Sequence, residues 1–536
     1  MTRSASSRRR DGAVRTGSGQ TSARPAAPDA HLPDAKGDRL VRSTLQLLLS
    51  NGSGIVLGVT FWFVAARLYT PTNVGYGATE VNAMTLLTTF ALLSLGTIFP
   101  RFLYPAGARA GVLLRAGYLA STSVALVASV VFLLVTMGHR SYIEPGLGPA
   151  IFFVAAVVLW VVFTIEDAAL VGFRTTFWIP VENGSFSVAK ILLLPIFVSI
   201  IPRAGVFTSW VLPVVGCTIA INLYLWRRVL PYHVARSKGA GVLPERKVFT
   251  KVIPGEYLGG LCFGAMASLP ALMIASTLGV KQVAYFQTPW LAGTSFDGLL
   301  FSFAASLIVE TTARLSSAPG TVRRSVRLAL LILGPSVAII LIGAPWFLRI
   351  FLGTEYATHG TTLLRLLAIA LPFMAVNVLY VTYARLARRV RRVLLVQVTI
   401  ATLVLALTAG LISPLGITGA GVGFLVGQGV VALVLLPSVI AQYRRPEMSP
   451  GFAPGTSLVI RSSSDVASDP IEAPTTDAIQ PVVGPASSSP EPEIPAVWRR
   501  QDVEPPAADR AGPRDQDPRD PDPRDPDPRD PPVAEA

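Results

Sequence analysis

Charge is what this chain has least of. Asp, Glu, Lys and Arg make up 15% of its 536 residues, whereas a soluble domain of ordinary composition carries about 25%. The shortfall lies between residues 43 and 442, which read as a series of apolar blocks separated by short basic or Gly/Pro-rich stretches. Each block has roughly the 20 apolar residues that a helix needs to cross a bilayer. Helices of a large soluble core would keep a polar face, and most of these blocks have none.

Cysteine and histidine are scarce too. The two cysteines, Cys217 and Cys262, fall inside apolar blocks. They make no disulfide framework or metal site and read as small buried apolar side chains. The four histidines, His31, His139, His233 and His359, are scattered, and none lies in the middle of a block. No phosphate-cradling glycine loop, metal-ligand cluster or nucleophile elbow is present. The sequence therefore predicts no enzyme, no cofactor and no metal. The first apolar block is long enough to span, so the basic start is not read as belonging to a cleaved leader.

What is present in quantity is positive charge at particular places. The formal net charge is +14. In a soluble protein this would suggest nucleic acid, but here Lys and Arg gather in alternate loops. One set holds Arg101, Arg109 and Arg115, then Arg174, then Arg227 to Lys251, then Arg314 to Arg327, then Arg385 to Arg392. The other set holds little beyond Arg67, Arg140, Arg203, Lys281 and Arg349. The positive-inside rule makes the first set cytoplasmic. Both termini are then cytoplasmic, which requires an even number of spans.

About twelve spans are expected, near residues 43–69, 78–100, 112–137, 148–172, 184–202, 206–226, 257–279, 283–308, 326–348, 361–384, 393–413 and 417–442. "AARLYTPTNVGY" (Ala65–Tyr76) is weakly echoed by "IASTLGVKQVAY" (Ile274–Tyr285), with Ala66/Ala275, Val74/Val283 and Tyr76/Tyr285 matching. The expected fold is an all-α polytopic membrane protein, with about twelve helices in two six-helix halves around a central cavity. Its parts are a basic, disordered tail (1–38), an N-terminal half (39–230), a basic cytoplasmic linker (231–256), a C-terminal half (257–445) and a disordered tail (446–536). That last tail ends in a five-residue Pro/Asp/Arg repeat, "PRDQDPRDPDPRDPDPRDPP", which cannot bury a core.

Charges placed inside spans are costly and are functional candidates by default. "WVVFTIEDAALVGFR" (Trp160–Arg174) carries Glu166 and Asp167. Asp167 lies about 10 Å from the inner end of its span at 1.5 Å per residue, a depth similar to that of Lys190 on the next, antiparallel helix. The expectation is that Asp167 pairs with Lys190 or Arg101 while Glu166 reaches a neighbouring helix or water. Asp297 is the deepest acid, about 20 Å from either end of its span, and is a candidate for ion coupling. Asn51, Asn82, Asn183, Asn222, Gln287 and Asn377 are candidates for lining a polar cavity or for bonding between helices.

Several phrases together resemble one family. They are "GVTFWFVAARLYTPTNVGYG" (Gly58–Gly77), "LLSLGTIFPRFLYPAG" (Leu92–Gly107), "IEDAALVGFRTTFWIPVENGSFSVAKILLL" (Ile165–Leu194) and "RIFLGTEYATHGTTLLRLLAIA" (Arg349–Ala370). The chain resembles the O-antigen and exopolysaccharide flippases, whose superfamily also holds lipid II flippases and multidrug and toxin extruders. The resemblance covers residues 40 to 442.

It implies alternating-access transport of an undecaprenyl-diphosphate-linked oligosaccharide across a bacterial plasma membrane, for surface or extracellular polysaccharide. Polysaccharide assembly proteins would be partners, and no nucleic acid is implied. It also implies a cationic path for the head group, onto which Arg67, Arg101 and Lys190 map, with Asp167 and Arg174 beside them. A diphosphate needs such donors, and Arg365 is a further candidate. Several deep arginines of the lipid II flippases are missing here. A cation-coupled drug antiporter and a membrane-embedded glycosyltransferase or polymerase are the alternatives. The longest loop, Arg227 to Lys251, is basic and cytoplasmic, which counts against the enzyme.

Overall fold

The computed structural model describes residues 54, 56–136, 146–244, 253–295, 318–387 and 389–444. The two tails lie outside that set, as do the candidates Asn51 and Asp297. Among the described residues the chain is helical, with no strand. In chain order the helices are α1 (Val56–Leu68), α2 (Pro71–Ala91), α3 (Leu95–Phe102), α4 (Ala110–Thr136), α5 (Leu147–Gly172), α6 (Trp178–Ile200), α7 (Gly205–Tyr224), α8 (Leu230–Arg236), α9 (Ile253–Leu278), α10 (280–295), α11 (Ala318–Phe351), α12 (Thr354–Leu386), α13 (Val390–Leu415) and α14 (Ile417–Arg444). Eight helical stretches are long and apolar enough to cross a membrane, or nine if the bent pair α2–α3 is one span. Ten of the twelve expected spans fall on described helices or, for the second, on that pair; the spans near 43–69 and 283–308 lie partly outside the described residues. This is an all-α, multi-pass membrane protein.

Several helices begin earlier than hydropathy places them. α2 starts at Pro71 rather than near 78 because Thr70 caps it, its hydroxyl accepting from the Asn73 amide at 3.4 Å, with Pro71 in the first turn. α6 and α12 also start early, at Trp178 and Thr354, without a side-chain cap. The second span is also broken. Leu93 and Ser94 take positive φ (47° and 62°), and α3 leaves α2 at 50°.

The packing is that of a protein in lipid. On α4 the buried stripe is Ala110, Leu114, Gly117, Ser121, Ala125 and Ser129, while Leu119, Val127, Leu134 and Val135 are exposed. Small residues face protein and large aliphatic ones face outward, as expected where lipid is the solvent and close backbone approach drives association. Many hydroxyls inside the bundle bond to their own helix, as buried Thr79 does to the Gly75 carbonyl (2.7 Å), half-buried Thr164 to Trp160 (2.8 Å) and buried Ser209 to Gly205 (2.6 Å).

α5 packs on α2, α3, α4 and α7, and α6 packs on α7. In the second part of the chain α14 packs on α13 and α12, while α9 packs on α13 and, across to the first part, on α2. The α13–α14 seam is a glycine ladder. A Cβ on Gly419, Gly423 or Gly427 would lie 2.2 Å from the Leu411 carbonyl oxygen, 2.8 Å from the Thr408 amide nitrogen and 2.6 Å from Val404 Cγ2, respectively. One residue, Gly416, with φ +62°, links the two helices.

Between the two parts, α1 meets the end of α11, where Phe63 stacks on Phe351 (4.9 Å between centroids) beside Phe347 (5.5 Å). Asn82 of α2 donates to Gln287 of α10 at 2.8 Å. Tyr257 of α9 donates to the Phe90 carbonyl of α2 at 2.8 Å. The two tyrosines of the sequence echo both lie beside cations, Tyr76 under Arg203 (4.4 Å) and Tyr285 near Lys281 (5.9 Å).

Candidate functional site

The helices that carry the in-span charges, α5, α6 and α7, bring most of them together. Glu166 is fully buried. Its carboxyl accepts from the Thr218 hydroxyl of α7 (3.1 Å) and from the Asn222 side-chain amide one turn further along. Thr218 and Asn222 are four residues apart, which stacks them on one face of α7. Glu182 of α6 faces the Glu166 carboxyl. Its own oxygens have no hydrogen-bond partner among the described residues. Tyr118 of α4 is half-buried, with its hydroxyl enclosed near the two acids. Facing carboxyls removed from water hold together only when a proton or a cation lies between them, since two bare charges there would repel and neither would be solvated.

Glu182 was not among the sequence candidates. The expected span began at residue 184, which put Glu182 outside it. Because α6 starts at Trp178, Glu182 lies one turn inside. The signal that could have found it is the apolar run Trp178–Val181 with Pro180 in it, which suits the first turn of a helix starting before residue 184.

Lys190 lies two turns further along α6 and is 3% exposed. Its ammonium sits over three rings: Trp210 at 3.8 Å, Phe186 at 4.5 Å and Phe61 at 5.3 Å from their centroids. Trp160 packs against both Phe186 (5.6 Å) and Trp210 (6.0 Å) and extends this wall. Cation–π contacts stabilise a desolvated ammonium by about 2 kcal/mol or more, but they leave its charge uncancelled. No carboxylate pairs with Lys190 among the described residues.

The expected Asp167 pairing is therefore corrected. Asp167 accepts from Asn183 at 3.1 Å, and neither Lys190 nor Arg101 joins it. The depth argument held no information on rotation about the helix axis, and that rotation turns Lys190 towards α1 and α7 instead. Arg174, just beyond α5 with φ +64°, lies over the Tyr104 ring at 4.3 Å.

Two of the other cationic candidates are occupied with helix backbone. Arg67 donates through Nε to the Phe351 carbonyl at 2.9 Å and through a terminal nitrogen to the Ile350 carbonyl. It thereby caps the C-terminal end of α11, where carbonyls are unsatisfied and a positive charge is favoured. Arg365 donates through Nε to the Leu341 carbonyl at 2.9 Å. Leu341 is four residues before Pro345 inside α11, and a proline has no N–H to fill that carbonyl. Arg101 is exposed and lines a cleft of about 10 Å³ at the end of α3 with Ser94 and Glu256. Of the proposed cationic path, Lys190 is the member that is buried and uncommitted to backbone.

No family model and no curated protein matches this chain. Solved structures do. An inward-facing multidrug resistance MATE family transporter of the MOP superfamily is 16% identical, over 73% of this chain and 94% of that one, with a TM-score of 0.49. The outward-facing form of such a transporter aligns at 16% identity over 75% and 95%, with a TM-score of 0.47. A MOP superfamily transporter from Pyrococcus furiosus Vc1, described as having a binding pocket of reversed polarity, aligns at 16% over 75% and 95%, also at 0.47.

Proposed function

We propose that this chain is a secondary transporter that moves an anionic, lipid-linked oligosaccharide from the inner to the outer leaflet of a bacterial plasma membrane, with both termini cytoplasmic. The observation that carries the reading is Lys190, an ammonium held inside the spans by three rings and by no carboxylate. An uncancelled buried cation favours an anion that can reach it, and a lipid diphosphate is such an anion. Phe61, Phe186 and Trp210 cover it here, so the substrate reaches Lys190 when α1 and α7 part. The chain's resemblance to polysaccharide flippases supplies the saccharide.

A specific observation favours a second reading. The Glu166 and Glu182 carboxyls face each other inside the spans, an arrangement that a shared proton or a bound cation would stabilise and that suits a cation-coupled exporter of small molecules. The same pair could also couple a flippase to an ion gradient.

The test compares a deletion strain carrying the intact gene, Lys190→Met or Lys190→Arg. Undecaprenyl-diphosphate-linked oligosaccharide is quantified on each side of the membrane. The expected result is accumulation on the cytoplasmic side with Lys190→Met, despite folded protein at normal level, and partial rescue by Lys190→Arg. Full export with Lys190→Met overturns the reading. Resistance to cationic drugs on overexpression, lost with Glu182→Gln and untouched by Lys190→Met, establishes the antiporter.

A further inference from the structure

A cluster of ionisable and aromatic side chains lies on other helices than the buried acids and Lys190, where α10 and α12 begin. Glu355, in the first turn of α12, pairs with Lys281 of α10 at 3.0 Å. The same carboxylate accepts from the Tyr285 hydroxyl, and Tyr285 is buried. α12 encloses the Tyr285 ring: the His359 imidazole stacks on it (4.6 Å, 13° between planes) and Tyr356 meets it edge-on (5.1 Å). His359 donates through Nδ1 to the Glu355 backbone carbonyl at 2.8 Å, since a carbonyl can only accept. Arg349, in the last turn of α11, is the next charge along the chain.

These residues join two tight links. Gly279, with φ +91°, connects α9 to α10, and Leu352–Gly353, with φ +109° at the glycine, connects α11 to α12. Lys281 comes two residues after Gly279, and Glu355 two residues after Gly353. The bonds of Glu355 to Lys281 and Tyr285 therefore clasp one link to the other.

The first part of the chain lands on the same two links. α2 sits against the first, where a Cβ on Gly75 would be 1.9 Å from the Val280 carbonyl oxygen. α1 sits against the second, where Arg67 caps the Ile350 and Phe351 carbonyls and Phe63 stacks on Phe351. Val280 is next to Lys281, and Phe351 is four residues from Glu355. One carboxylate thus sets the spacing between the seats of α1 and α2.

The clasp is of a kind that can be broken. The Lys281 and Glu355 side chains are each about half exposed (53% and 48%), and ion pairs so exposed contribute little to stability. A fully desolvated pair would lock the links, because separating buried charges is costly. A transporter of the kind proposed must part α1 from such a seat in every cycle. A weak, solvated pin suits that place.

We infer that Glu355 is the pin of this gate: it positions the seats of α1 and α2, and its release lets α1 leave α11. The inference rests on the transport reading above, whose orientation puts this end outside, and it adds the residue that regulates access there.

Spin labels read the gate without a substrate. Leu68 on α1 and Ile350 on α11 have exposed side chains, and the bond from Arg67 to the Ile350 carbonyl brings the two helix ends together. Nitroxides are attached at Leu68→Cys and Ile350→Cys, with Cys217→Ala and Cys262→Ala, in the full chain in lipid nanodiscs. Dipolar broadening reports the ratio of joined to parted ends. Joined ends should predominate near neutral pH, and the ratio should fall about twofold or more in Glu355→Gln and in Lys281→Gln, as befits an exposed pair. Both positions are half exposed, and monodisperse elution checks that the variants fold. Acid is the second probe. A scan from about pH 7 to about pH 3.5 crosses the carboxylate range. It should part the ends while Glu355 is present, change nothing in Glu355→Gln, and still part them in His359→Gln.

Ends already apart in the otherwise intact chain, or equally joined in it and in both variants, overturn the inference. Export that still depends on Lys190 would then leave the transport reading standing. An acid step that survives Glu355→Gln and vanishes in His359→Gln also overturns it, since the imidazole would then be the pin. Failure of the transport reading shows differently, as export indifferent to Lys190→Met while the acid step at Glu355 is kept.

Discussion

At the scale of single residues, the in-span charges divide by what they touch. Arg67 and Arg365 each complete a helix whose own backbone lacks a donor. Glu166 is held by Thr218 and Asn222, whereas Glu182 has only the facing carboxyl of Glu166. This asymmetry predicts unequal mutational costs. Asn222→Leu removes a donor from a buried carboxyl and should destabilise the protein by about 1–3 kcal/mol. Glu182→Gln keeps the shape and removes a charge with no donor of its own, so it should leave stability unchanged or raise it. Thermal unfolding in detergent compares the two, and equal losses would sink the asymmetry. Glu166, Asp167 and Lys190 were legible in the sequence as costly charges, because composition alone marks a carboxylate or ammonium inside an apolar run. Their partners were not. Pairing depends on helix rotation and on where α6 begins, and hydropathy averages over both.

At the scale of elements, the α13–α14 hairpin has the least room for change. Gly419, Gly423 and Gly427 repeat every four residues and lie on one face of α14. Each meets α13 closer than a Cβ allows. Gly423→Val would push the two helices apart where the Thr408 backbone is in contact. Overpacking of this kind costs about 1–3 kcal/mol, and more is expected here because the obstacle is main chain. Gly410→Val, on the partner helix with nothing within 4 Å of its Cβ position, should be silent. The amount of folded protein recovered from membranes, followed over a temperature series, separates them. Equal loss from both variants would argue against the seam. The all-helical, multi-pass character was legible because each apolar block must be long enough to cross, and eight helical stretches, or nine with the bent pair, meet that test among the described residues. The helix starts were less so, because Thr70–Pro71 resembles loop until the Thr70 hydroxyl is seen capping the helix, and Gly353–Thr354 resembles loop and has no side-chain cap to mark it. The bend at Leu92–Ser94 left no mark, since neither Leu93 nor Ser94 favours positive φ.

At the scale of the whole molecule, the first and later helices meet at separated points along α2 and at the α1–α11 contact. Phe63, Phe347, Phe351 and Arg67 form that contact, and Tyr257 reaches Phe90 elsewhere. A transporter of the kind proposed must open one such set while another holds. A cysteine pair at Phe63 and Phe351, joined by a short reducible cross-linker, should stop transport, and reduction should restore it. Undiminished transport by the cross-linked protein would mean that this contact never opens. The tails and Asp297 do not bear on this test.

The box around Lys190 has an optical consequence. An indole's emission depends on the charges beside it, and the Lys190 ammonium lies 3.8 Å from the Trp210 ring centroid. An anion that cancels or displaces that ammonium would change the field at the indole. Trp210 is then a built-in reporter of what reaches Lys190. Although the chain has eight tryptophans, the difference spectrum between the natural protein and Trp210→Phe isolates this one. Its emission should move on addition of the anionic lipid and stay still in Lys190→Met, so that occupancy can be watched in real time without a label.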